Sequence, residues 1–190
     1  MENRESRIST SFEVRSEEDG VAVVEGYAAV FNEDTIIGGQ WQERIAEGAF
    51  ASAIGRDDVV FLINHAGLPL ARTRSGTLEL SEDDRGLRMK ASLDMSDPDV
   101  RAIVPKMKRG DLDKMSFAFV PTRQKWDDKD KNKMPRRTIE EAELYDVSIV
   151  TTPAYEGTEI GLRSLEIHRQ SKNHKSQFAR RMRMKLRLKE

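Results

Sequence analysis

The apolar residues of this chain gather in short runs rich in β-branched and aromatic side chains, separated by clusters of turn-forming residues. That pattern commits it to folding around strands. Val21–Phe31 reads as a buried strand, with Gly26 as the expected site of a bulge. Asn32–Gln40, with its Asn, Asp and Gly-Gly pair, reads as a loop. Val59–His65 is a run of strand length that sets Val59, Phe61, Ile63 and His65 on one face of a pleat. Thr77–Leu80 and Leu87–Ala91 flank Asp83-Asp84-Arg85-Gly86 as the arms of a hairpin. Met115–Val120 alternates large and small, with Met115, Phe117 and Phe119 on one face and Ser116 and Ala118 on the other. Leu144–Thr152 is the last clear strand, stopped by Pro153, and the polar stretch Gln124–Arg137 before it reads as a mobile loop.

Helical signals are fewer. Ile45, Ala49, Phe50, Ala53 and Ile54 recur at spacings that suggest a short helix. Asp97-Pro98 supplies a cap and a proline at the first helical position, Val100, Ile103, Val104 and Met107 form an apolar stripe, and Gly110 closes the segment. Pro105 inside that helix should kink or shorten it. The predicted fold is α+β: a curved antiparallel sheet or β-barrel core with flanking helices.

At 190 residues the chain has the length of one domain. Its hydrophobic content of 37% is below the roughly 45–50% usual for globular domains, which predicts a modest core with solvated appendages. Charge divides it further. From His168 to Glu190 nine Lys/Arg stand against one acid, a segment charge of about +8, so the net −1 leaves residues 1–167 near −9. The expected organisation is a flexible N-terminus (1–19), a domain over 20–168 and a basic C-terminal tail, helical or disordered, over 169–190. No apolar run reaches the roughly 18 residues of a membrane span, and Met1–Glu5 lacks the apolar stretch of a signal peptide, so a cytosolic protein is expected. With no cysteine and three histidines, disulfides, thiolate zinc sites and a Cys nucleophile are excluded, and neither metal nor cofactor is expected.

Few reactive constellations remain. There is no Gly-rich phosphate loop, HExxH or calcium-loop pattern. His65 lies alone in the body of the chain at a strand end, where it is either a hydrogen-bonded structural residue or a general base matched to neutral pH. Ser116 and Ser148 are small polar residues in otherwise apolar strands: each is either a nucleophile or a quiet packing residue. Asp146 could orient the imidazole or sit in water at a strand end. The residues alone thus offer a Ser-His-Asp set and leave its members open.

Gly26-Tyr27-Ala28-Ala29-Val30-Phe31, Gly48-Ala49-Phe50, Asn64-His65, Leu68-Pro69-Leu70-Ala71-Arg72-Thr73, Met115-Ser116-Phe117-Ala118-Phe119 and Asp146–Tyr155 occur in this order. The ordered set, over roughly residues 20–160, resembles the prohead (procapsid maturation) proteases of tailed bacteriophages, distantly similar to the herpesvirus assemblins. The resemblance implies a serine endopeptidase, packaged inside the immature capsid in the host cytoplasm, that trims scaffold or the capsid protein's scaffolding segment. It implies His65 as base and Ser116 as nucleophile. Assemblins carry a second His as third member, and this chain has none there, so the role passes to Asp146, with Glu141 and Glu143 as runners-up. Ala71 and Ala118 stand where many members have Gly.

The implied partners are the major capsid protein with its scaffolding segment and the chain itself, through autocleavage or a homo-oligomer. The rival reading is a non-catalytic structural or assembly protein of a phage particle or decayed prophage. A nucleic-acid binder rests on the basic tail alone and lacks a recognition motif, so no nucleic-acid partner is expected.

Overall fold

The computed structural model describes residues 4–10, 12–18, 20–130, 133–151 and 164–171. Its longest feature is a hairpin of two strands, β10 (Lys114–Asp127) and β11 (Arg136–Val150), that takes in both ends of the stretch Gln124–Arg137 expected to be a mobile loop. Local polarity misled there, because the strand ends are held by partners distant in sequence. Arg137, with no exposure to solvent, makes a bidentate pair with Glu5 at 2.7 and 2.8 Å and also reaches Glu43 and Gln124. Arg7 binds both of those glutamates, and Trp126 packs edge-on against Trp41. Buried charges are tolerable where each is paired and hydrogen-bonded.

The same cluster explains a second correction. The N-terminus expected to be flexible contains β1 (Glu5–Thr10) and β2 (Phe12–Glu18). β1 pairs antiparallel with β10 over its length, Ile8 standing opposite Ser116. Its Glu5 is anchored by Arg7 and Arg137.

Eleven strands in two sheets are formed among the described residues. β3 (Val21–Val30) sits between β2 and β9 (Gly86–Asp94), and β8 (Leu78–Glu82) completes a four-stranded antiparallel sheet. The bulge expected at Gly26 falls instead between Tyr27 and Ala29. Asp83 closes the β8–β9 turn by accepting from the backbone N–H groups of Arg85 and Gly86. The second sheet has seven strands: β1, β10 and β11, then β5 (Trp41–Ile45) and β4 (Thr35–Ile37) on one branch and β6 (Val60–Ile63) and β7 (Ala66–Arg72) on another. β11 pairs in parallel with both β5 and β6, so the sheet is mixed rather than purely antiparallel, and its branched order does not close into a barrel.

One apolar core joins both sheets, with Phe31, Phe50, Phe117 and Phe119 in a continuous series of ring contacts. The segment from Ile45 to Ile54, expected to hold a short helix, instead ends β5 and enters successive turns over 47–56, which still bury Ala49, Phe50 and Ala53. α1 (Pro98–Lys108) has the expected Asp97 cap and buries its stripe. It runs on through Pro105, so the expected shortening is not seen. A second helix, α2, spans residues 164–171 and seats Leu165 against Ile37 and Trp41. The boundary drawn at 168/169 therefore falls inside a helix. Most of the basic tail lies outside the described residues.

Candidate active site

Alternation along β10 puts Phe117 in the core and Ser116 on the opposite face, where Ser116 is still buried. On β11, Val147 and Ile149 enter the core, leaving Asp146 and Ser148 to face the side of Ser116. That facing is not the continuation of the strand's earlier pattern. Ala142 and Leu144 also enter the core, and an unbroken alternation would carry residue 146 inward with them. A register shift intervenes: Ala118 pairs with Asp146 but Phe119 pairs with Leu144, so β11 carries an extra residue, Tyr145. The bulge turns Asp146 out of the core and toward the site.

His65 arrives from the other side of β11. β6 pairs in parallel with residues 146–149 and stops at Ile63, shorter than expected, so His65 does not share a strand face with Val59 and Phe61. Instead Asn64 and His65 form a two-residue connection to β7, with Ile63 opposite Ala66. Both have positive φ, 52° and 57°. These are the signs of a type I′ hairpin turn, whose twist suits the flanking strands, and Asn and His are among the non-glycine residues that enter this region most readily. The turn is tethered: the Asn64 backbone N–H donates to the Ile149 carbonyl, and Asn64 Oδ1 accepts from the Thr151 N–H.

These elements bring the three predicted residues together. His65 Nε2 lies 2.7 Å from Ser116 Oγ, and Nδ1 lies 2.6 Å from Asp146 Oδ1. An ionised carboxylate only accepts, so Nδ1 carries the proton that binds Asp146, and Nε2 is left to accept the Ser116 hydroxyl proton. Ser116 is 1% exposed and Asp146 6%, whereas the His65 side chain retains 15%. Neither runner-up meets the imidazole: Glu141 binds Ser52 and Arg123, and Glu143 binds the Tyr145 hydroxyl. Ser148, completely buried, donates to Asp146 Oδ1 at 2.7 Å.

The sequence reading missed Asn64 as a turn-former. Its signal was a two-residue Asn-X connection between an apolar run and the next extended segment. Among the described residues no group of three or more His, Asp or Glu side chains could hold a metal ion, and no helix is long and apolar enough to cross a membrane.

A family model described as caudovirus prohead serine protease matches residues 10–174. No curated protein matches the chain. Among solved structures, that of the bacteriophage T4 capsid assembly protease, gp21, is similar at 11% identity with a TM-score of 0.46, covering 80% of this chain and all of the other.

Proposed function

The chain belongs to the caudovirus prohead serine protease family, and from that premise we propose that Ser116, His65 and Asp146 are its nucleophile, base and orienting acid. The observation that supports this is the unbroken line of two short hydrogen bonds through one imidazole, from Ser116 Oγ to Nε2 and from Nδ1 to Asp146. Ser116 Oγ attacks the peptide carbonyl carbon while His65 Nε2 takes its proton. The imidazolium then hands that proton to the leaving amine as the C–N bond breaks, leaving an ester on Ser116. Water attacks the ester, again losing its proton to Nε2, and as the acyl group leaves as a free acid the imidazolium returns that proton to Ser116 Oγ. Asp146 holds the tautomer and orientation of the ring and stabilises the imidazolium.

The substrates are scaffold or the scaffolding segment of the capsid protein, together with the protease itself, and cleavage takes place inside the procapsid. Co-expression with the capsid protein of the same virus, followed by mass spectrometry, tests this. The native chain should yield shortened capsid or scaffold products, and a folded Ser116→Ala variant should lose them, since removing one member of such a unit costs several orders of magnitude in rate. Undiminished cleavage by Ser116→Ala would overturn the assignment.

A further inference from the structure

We propose that Ser148 is a positioning residue for the base, acting through Asp146, an inference that rests on the assignment of Ser116, His65 and Asp146 above. Ser148 Oγ is 2.7 Å from Asp146 Oδ1 and 3.2 Å from His65 Nδ1. A hydroxyl has a single proton to donate, and in the working tautomer Nδ1 is itself a donor, so of these two neighbours only the carboxylate can receive it. Oδ1 of Asp146 therefore accepts twice, from the imidazole and from Ser148. Two donors on one oxygen hold the carboxylate in a single rotamer at a site almost closed to water.

The arrangement follows from the sheet. Ser148 is two residues from Asp146, so both project from the same face of β11, and it stands directly opposite Ser116 in the register. Ser148 thus lies against the Asp146 end of the hydrogen-bonded line. Its complete burial and its place on the Nδ1 side of the ring set it apart from Ser116, which meets the Nε2 that must take up the proton.

Removing this hydroxyl leaves the carboxylate with one fewer donor and a more localised charge. Its grip on the imidazolium proton tightens, and its orientation loosens. The experiment is steady-state cleavage, across pH, of a peptide spanning the site mapped in capsid protein, using Ser148→Ala, Ser148→Thr and Ser116→Ala in the full chain. Ser148→Ala should lower kcat about tenfold with KM unchanged, the size of effect expected for one hydrogen bond to a charged group. The kcat/KM profile of Ser148→Ala across pH should differ from the native one, and that of Ser148→Thr should match it. Ser148→Thr, which keeps the hydroxyl, should stay within about threefold of the native kcat. A native rate and profile in Ser148→Ala, or a Thr variant as slow as Ala, would overturn the inference while leaving the triad intact. Full activity in Ser116→Ala would overturn the triad itself.

Discussion

Asn64 and Thr151 are joined across the end of the seven-stranded sheet: Asn64 Oδ1 accepts from the Thr151 backbone N–H at 3.0 Å and lies 3.3 Å from its hydroxyl. The residue before His65 is therefore moored at the end of the strand that carries Asp146, which ties the proposed base and the proposed acid to one element. Asn64→Gly keeps the positive φ at little cost but loses the mooring, whereas Asn64→Ala loses both. We expect Ala to lower stability by about 1–2 kcal/mol. Gly should hold near-native stability while cutting kcat/KM several-fold. Denaturant unfolding and peptide cleavage measured on the same samples check this; equal cleavage by all three proteins would remove Asn64 from the positioning of His65.

Asp146→Asn should leave the fold intact and reduce kcat on the order of 10³–10⁴-fold. The amide can donate to Nδ1 and so favour the tautomer that cannot accept from Ser116. Nitrogen-15 NMR of the imidazole reads the tautomer directly. A variant that keeps both the native tautomer and the native rate would exclude Asp146 as the orienting acid.

Acid should loosen the junction of β1, β5 and β11. Burial pulls the Glu43 carboxyl upward, but Arg7 first and Arg137 next more than offset this, and its folded pKa falls below the ordinary 4.5. A depressed folded pKa means that the stabilisation is present above the unfolded value and is lost as pH falls below about 4.5 toward the folded one. Tm should therefore drop across that window. Glu43→Gln should flatten the decline while lowering Tm at neutral pH, because Arg7 and Arg137 lose a buried partner. An acid decline of the same steepness in the variant would assign it to other carboxylates.

Gly86 opens β9 opposite Val30 of β3. A Cβ there would stand 2.0 Å from the Ala29 carbonyl oxygen, a backbone atom with no freedom to turn aside. Gly86→Ala should cost about 3 kcal/mol or more, at the upper end for overpacking. Urea denaturation measures it, and a loss of less than about 1 kcal/mol would show that β3 can yield there.

A chain ending at Ser171 keeps α2 with its buried Leu165 and removes the basic segment that follows. The removed residues interleave Lys and Arg with Met, Leu and Phe, a composition suited to an acidic scaffold or capsid segment. The shortened chain should cleave free peptide normally but enter procapsids poorly. Association of the full chain should also weaken with salt, as the Debye length falls from about 10 Å at 0.1 M to about 3 Å at 1 M. Normal packaging of the shortened chain would dismiss a delivery role for the tail.

Local pattern was enough for β3, for the β8–β9 hairpin, for capped α1 and for the alternation about Ser116, because each signal is complete within a short stretch of sequence. The ordered motifs also singled out Ser116, His65 and Asp146 as one set. Polar composition could not announce that both ends of Gln124–Arg137, as far as Asp127 and from Arg136 onward, are strand, since Arg137 is buried only because Glu5 and Glu43 arrive from more than ninety residues away to neutralise it. Nor could periodicity place His65 in a turn, for β6 ends where its parallel pairing with β11 ends. The direction in which Asp146 faces was decided by register. Asp146 lies in a strand whose side chains alternate, and a single extra residue at Tyr145 turns it out of the core and onto the face of Ser116. Sequence supplied the residues capable of this chemistry; which carboxylate meets the imidazole depended on strand pairing, because a one-residue shift moves every side chain beyond it to the other face of the sheet.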